Sequence, residues 1–296
     1  MPEAPSEKDH NEQQAFLKRL CRHLVSVTAT IVVPTGPTRH PEEHFVNYSG
    51  FVVSYCGVWL LLTAGHVLSD IRHDLRTRRY TFKRCELMDC YGLCATFEYG
   101  IPFNISEVKQ AIVENDELGF DVGCIPLSPH YRGLLEKNGI EPVAQDQWHS
   151  HAELDFDFYG ILGFPDELLD RERKITATGQ TISGGMRAVL MAADKAEAVP
   201  RGKPDPVFPW LAIQLRDKQE ISSIRGMSGG PIFGFKHGPD SKILYTIAAI
   251  QSCWDKERRI AFGTRLPAVF AYIEASIESD IAEGARRLAS PDPKIV

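Results

Sequence analysis

Apolar and β-branched residues along this chain fall in short runs separated by Gly, Pro, Asp or Asn. The run Val25–Val33 is rich in Val, Thr and Ile and ends at Pro34. Comparable runs recur at Gly50–Tyr55, Val58–Thr63, Cys94–Tyr99, Asp121–Leu127, Phe156–Leu162 and Arg173–Thr178. Five more follow, at Arg187–Ala192, Trp210–Leu215, Pro231–Phe235, Ile243–Ser252 and Ile260–Thr264. Many short strands punctuated by turn residues predict an antiparallel sandwich or barrel rather than a parallel α/β sheet. Helical spacing occurs at the two ends. Phe16, Leu17, Leu20 and Leu24 predict a short amphipathic helix. Leu266, Val269, Phe270, Ile273, Ile277 and Ile281 predict a long C-terminal helix running toward Leu288, before a loose tail over residues 292–296. The stretch 69–120 is longer than a hairpin needs and is expected to hold a helix at Ile105–Glu114. A connection near residues 130–155 divides two halves, and no internal repeat is visible.

Length and composition narrow the class. The 296 residues carry 33 basic and 39 acidic side chains, a net charge of −6, with 43% apolar and 24% charged residues. That is ordinary globular composition, and a chain this long buries a core without metal or disulfide support. The acidity argues against a general nucleic-acid binder. No apolar run reaches the roughly 18 residues of a membrane span. The polar start Met1–His10 lacks the apolar centre of a secretory signal, and seven cysteines are an odd number for a disulfide framework. The expectation is a cytoplasmic protein with reduced thiols and neither membrane nor nucleic-acid partners.

Three segments carry candidate chemistry. In Gly226-Met-Ser-Gly-Gly-Pro231, glycines around Ser228 permit a tight turn and close approach of a substrate chain. A nucleophilic serine needs such exposure, together with nearby N–H groups for a developing oxyanion; a plain Gly-rich turn is the competing explanation. In Leu60-Leu-Leu-Thr-Ala-Gly-His66, an apolar strand ends in small residues and presents one histidine. A lone histidine there is ordinarily structural, but beside a serine it can serve as the base. In Asp121-Val-Gly-Cys-Ile-Pro-Leu127, an aspartate opens an apolar strand. It would orient the imidazole and stabilise its cation; Asp116 is the nearest competitor.

The order His66, Asp121, Ser228, set in Thr-Ala-Gly-His and Gly-x-Ser-Gly-Gly-Pro, resembles the chymotrypsin/trypsin-like serine peptidases, and within them the disulfide-poor bacterial type. The resemblance spans residues 25–275, with Gly160-Ile-Leu-Gly-Phe-Pro165, Gly179-Gln-Thr-Ile-Ser183 and Phe262-Gly-Thr-Arg-Leu266 as further matches. It implies an all-β, chymotrypsin-like double antiparallel β-barrel, each barrel six-stranded, with a short N-terminal helix and a C-terminal helix. The implied division is an N-terminal extension over 1–24 and a first barrel over 25–135 carrying His66 and Asp121. A linker over 136–155, a second barrel over 156–265 carrying Ser228, and a helix and tail over 266–296 complete it. It also implies a serine endopeptidase acting through an acyl-enzyme, with catalytic His66, Asp121 and Ser228 and an oxyanion hole from the N–H groups of Gly226 and Ser228. The residue six before the nucleophile, Ser222, would sit at the floor of the specificity pocket, with Cys253 near its wall. An uncharged, apolar preference is expected, unless Glu220 swings its carboxylate in.

Departures from the pattern are informative. Val67 follows His66 and Ile224 precedes the serine by four, where secreted members carry paired cysteines. Met227 stands where zymogen-activated members have an aspartate, so activation by N-terminal insertion is not expected. Cys85, Cys90 and Cys94 with His73 suggest zinc but lack a tight Cys-x-x-Cys pair, so buried free thiols are expected and neither metal nor cofactor. Arg72, Arg76, Arg78, Arg79, Lys83 and Arg84 form a basic run, expected to be a solvated face. The expected partners are a protein or peptide substrate and, secondarily, an activating protein. Two other readings remain open: a partner-gated protease effector of a bacterial stress or antiviral response, and a trypsin-like module acting mainly as a binding subunit.

Overall fold

The computed structural model describes residues 7–33, 42–89, 100–148, 155–176, 179–216, 221–238, 242–272 and 274–275. The expected strand Cys94–Tyr99, Cys90, Glu220, the C-terminal positions Ile273, Ile277, Ile281 and Leu288, and the tail over 292–296 lie outside them. After helix α1 (Glu7–Cys21) the chain forms β1 (Ser26–Val33), β2 (Glu42–Tyr48), β3 (Phe51–Tyr55) and β4 (Val58–Thr63). Helix α2 (Gly65–Thr77) precedes β5 (Thr81–Met88), β6 (Ile101–Pro102), β7 (Ala111–Asn115) and β8 (Phe120–Pro126), and helix α3 (Pro129–Lys137) begins the connection to the second half. There follow β9 (Phe158–Gly163), the hairpin β10 (Asp170–Thr176) and β11 (Gly179–Gly185), then β12 (Val189–Ala196) and β13 (Leu211–Leu215). Strands β14 (Pro231–His237), β15 (Ile243–Asp255) and β16 (Ile260–Arg265) run into helix α4, residues 266–272.

The architecture is all-β with two lobes. The second is a closed antiparallel barrel in the order β12-β13-β16-β15-β14-β9. The first pairs its strands as two four-stranded sheets, β2-β1-β5-β6 and β3-β4-β8-β7, joined through a bridge between Leu24 and Phe51. The two-lobed all-β architecture accords with the chymotrypsin-like double barrel that the resemblance implied, although among the described residues the first lobe is paired as two sheets rather than one closed ring. Among the described residues no helix is long and apolar enough to cross a membrane.

Alternation explains how the strands bury both faces. Along β4, Trp59 and Leu61 enter the core of the first lobe, while Leu60 and Leu62 face the core between the lobes. That inter-lobe core also takes Leu20 and Leu24 from the N-terminal segment, Phe51, Trp148, Phe164, Phe233 and Phe235, and Leu266 and Phe270 from the C-terminal segment. Ring pairs seal it, Trp148 with Phe270 at 4.4 Å and Phe16 with Phe235 at 5.6 Å. The two terminal helices thus pack across the seam of the lobes.

Some expectations fail for identifiable reasons. The helix expected at Ile105–Glu114 is a turn followed by β7. The Asn104 carbonyl accepts Glu107 N–H and the Asn104 carboxamide accepts the Ser106 hydroxyl, so local polar bonds close a turn there. Strands β2 (Glu-Glu-His-Phe-Val-Asn-Tyr) and β5 (Thr-Phe-Lys-Arg-Cys-Glu-Leu-Met) lie outside the expected runs, because polar and charged residues interrupt their apolar positions. Helix α2 takes in Arg72 and Arg76 of the basic run expected to be a solvated face, and Arg78 and Arg79 follow its end. Its buried side, Val67, Leu68 and Ile71, nevertheless follows helical spacing.

A buried histidine links the two lobes. His23 is 2% exposed; its Nδ1 lies 2.8 Å from the Glu141 carbonyl and its Nε2 2.9 Å from the Tyr245 hydroxyl. A carbonyl only accepts, so Nδ1 carries the proton and Nε2 accepts from tyrosine. Burial pulls the His23 pKa down from 6.5 to about 4, Arg22 and Arg19 adding to the shift against the Glu141 hydrogen bond. The unfolded chain therefore binds a proton that the folded chain refuses between pH 6.5 and 4, and stability falls as pH falls through that window. We expect this group to remove up to roughly 3 kcal/mol of stability by pH 4. Urea unfolding at pH 7 and pH 4 should show a larger loss for wild type than for His23→Gln.

Candidate active site

His66 is the second residue of α2, delivered by a strand buried on both faces. The helix has no side-chain cap of its own, since its N-cap is Ala64. Asp121, the second residue of β8, supplies one from across the sheet. Its Oδ1 accepts the His66 backbone N–H at 2.8 Å and its Oδ2 lies 2.7 Å from His66 Nδ1. A carboxylate accepts only, so Nδ1 is protonated and Nε2 is left to face the cleft. Gly65 permits this approach, because a Cβ there would come within 2.9 Å of Asp121 Oδ1. Asp121 is buried, and its own N–H donates to Thr264 Oγ1 of β16 at 3.0 Å, which ties it to the second lobe. Burial pulls the His66 pKa down, but the Asp121 hydrogen bond and charge, with smaller contributions from Asp70 and Glu114, more than offset it. The pKa therefore stands above its ordinary value.

The loop around Ser228 is held by its carbonyls. Arg225 C=O accepts Asp166 N–H at 2.8 Å, Gly226 C=O accepts the Ser49 hydroxyl at 2.9 Å, and Met227 C=O accepts Gly230 N–H at 2.8 Å. The peptides of this loop are trans, so each N–H points opposite to the carbonyl of its own peptide. Met227 N–H thereby reaches the Ile224 carbonyl at 3.0 Å, whereas Gly226 N–H and Ser228 N–H donate to no protein acceptor among the described residues. Gly226 has φ +88, and a Cβ on it would strike Asp166 Oδ1. Gly229, with φ +87, lets the loop press on Thr63 and the Ser49 carbonyl of the first lobe. Met227 is fully buried in the barrel core, an apolar position with no use for a charge.

His66, Gly226 and Ser228 line one cleft of about 300 Å³, together with Asn47, Asp70, Asp166 and Arg225. Among the described residues no hydrogen bond joins Ser228 to His66, though both line this cleft. A second cleft of about 460 Å³ on the other side of His66 is lined by Glu114, Asp116, Asp121, Lys203, Ser252 and Cys253. Cys253 thus borders the site, and burial pushes its thiol up to about 11. Asp116 is exposed and paired with Lys203 at 2.6 Å rather than with His66. Ser222 is exposed and lines neither cleft; its N–H and hydroxyl both donate to the Glu167 carboxylate, at 2.6 and 2.9 Å. Ser222, expected as an uncharged floor, therefore has the Glu167 carboxylate beside it. Ser49 and Asp166 carry no signal in the sequence, because their roles depend on contacts between segments distant in the chain. Burial raises the Cys85 thiol to about 12, and among the described residues no three His, Cys, Asp or Glu side chains are grouped to hold a metal ion.

Replacing Asp121 removes the chief upward influence on His66 and leaves its burial. The His66 pKa in Asp121→Asn should therefore drop below 6.5, while wild type titrates above it. NMR titration of the imidazole protons checks both values.

No family model matches the chain, and no curated protein does. Among solved structures, the thermostable serine protease AL20 from an extremophilic microorganism is similar, with a TM-score of 0.45 and 13% sequence identity over 83% of this chain and 91% of that one. At that level of similarity, the site rests on its own geometry.

Proposed function

We propose that this chain is a serine endopeptidase that cleaves peptide bonds through an acyl-enzyme. One observation carries the reading: a histidine doubly held by a buried carboxylate shares a cleft with a serine flanked by two uncommitted N–H groups. Ser228 Oγ attacks the substrate carbonyl as His66 Nε2 takes its proton, and Asp121 stabilises the imidazolium through Nδ1. The negative charge that develops on the carbonyl oxygen is met by Gly226 N–H and Ser228 N–H, dipoles already aligned before reaction. His66 then protonates the departing amine, and water repeats the sequence to release the acyl group. Clefts on both sides of His66 leave room for chain on either side of the cleaved bond, which favours an endopeptidase.

Ser228→Ala should abolish labelling by a fluorophosphonate probe and cleavage of casein while keeping the wild-type melting temperature. Undiminished cleavage by that variant would sink the mechanism. Asp121→Asn should lower kcat by roughly 10⁴-fold through the wrong histidine tautomer; a normal rate there with an inactive Asp116→Asn would move the role to Asp116. The base must be neutral, so kcat/KM should rise with pH through a midpoint above 6.5, the direction in which His66 is shifted. A profile already flat at pH 6 would contradict the assignment of His66.

A further inference from the structure

Two carbonyl anchors of the nucleophile loop are backbone groups, and the third is a side chain from the other lobe. Ser49 follows β2, is fully buried, and stands between two segments of the second lobe. Phe164 N–H donates to Ser49 Oγ at 3.0 Å, and Ser49 Oγ lies 2.9 Å from the Gly226 carbonyl. The amide can only donate and the carbonyl can only accept, so the single hydroxyl proton goes to Gly226. The Ser49 carbonyl is itself fixed by the Thr63 hydroxyl at 2.8 Å, on the strand that leads to His66. A glycine at φ +88 sets no steric preference for the peptide planes beside it, so their orientation depends on the hydrogen bonds they make.

We propose that Ser49 is a positioning residue for the oxyanion site, holding the Gly226–Met227 peptide so that Gly226 N–H and Ser228 N–H converge on one point. The inference rests on the acyl-transfer reading above and adds that the first lobe sets the geometry of the hole as well as supplying the base. Without the Ser49 proton, the Gly226 carbonyl loses its anchor, and the plane is held only by the Met227 N–H bond to the Ile224 carbonyl, about which it can tilt. The fall in rate should approach, without reaching, the 10²- to 10³-fold loss that follows removal of a whole oxyanion donor.

The test compares wild type, Ser49→Ala and Ser49→Cys, the last keeping the shape with a weak donor. Rates of peptide hydrolysis are normalised to the fraction of sites titrated by a fluorophosphonate, which removes any misfolded fraction. We expect kcat per titrated site to fall by about 10- to 100-fold in Ser49→Ala with KM within about threefold. Affinity for a peptide aldehyde, whose hemiacetal adduct carries the oxyanion, should fall by the same factor as kcat/KM. A purely packing role would lower the titrated fraction and leave both per-site values alone. If Ser49→Ala does not fold, Ser49→Cys carries the comparison, with a smaller loss in the same direction. Unchanged per-site kcat or aldehyde affinity, in a wild type that labels at Ser228, overturns this inference alone. A wild type that the probe ignores, or labels equally well as Ser228→Ala, overturns the acyl-transfer reading and this inference with it.

Discussion

A buried carboxylate with both oxygens occupied by one neighbouring residue is the constraint on which the site depends. Asp121 takes the backbone N–H and the ring N–H of His66 at once, so it caps a helix and fixes an imidazole with the same group. Neither task is separable from the other. The helix cap sets where the backbone of His66 lies, and the second oxygen then sets the rotation and tautomer of its ring. Burial makes the arrangement strict, because a carboxylate removed from water needs its hydrogen bonds to remain charged at low cost. The bond from the Asp121 amide to Thr264 extends the constraint to the last strand of the barrel.

The lobes then define each other. The inter-lobe core draws on α1, β3, β4, β9, β14 and the chain after β16, so neither lobe closes its apolar surface alone. Buried polar bonds cross the same seam, among them His23 to Tyr245, Ser49 to Gly226 and Phe164, and Asp121 to Thr264. Each is sheltered from water, where a satisfied hydrogen bond costs most to break. The loop carrying Ser228 is shaped by these crossings as much as by its own glycines.

Much of this was legible in the chain itself. Strand alternation and turn residues gave the all-β class, and the segments around His66, Asp121 and Ser228 stood out by composition. The structure brings His66 and Asp121 into direct contact and sets Ser228 on the cleft that His66 lines. What the chain did not disclose depends on long-range pairing. Helix α2 carries Arg72 and Arg76 at the start of a basic run, and its N-terminus is capped by a residue 55 positions away. Ser49 is an unremarkable serine before a glycine until Phe164 and Gly226 are folded onto it. Glu167 meets Ser222 only because a turn after β9 lies beside the nucleophile loop. Period and propensity describe single elements, and these three features belong to contacts between elements.

The closure of the barrel has a kinetic side. Strand β9 pairs with β12 and also with β14, its first partner near in sequence and its second some seventy positions on. Non-local pairings of this kind form late, since the chain must close a long loop before the contacts repay it. Phe164 and Asp166 follow β9 directly, and Gly226 precedes β14, so the Ser228 loop takes its shape only when that last seam zips. A nascent or partly unfolded chain then carries the serine, the histidine and the aspartate with no converged pair of amides beside them. On the acyl-transfer reading proposed above, hydrolysis would wait for that seam, so unfolded copies of the same sequence are spared while the chain is being made.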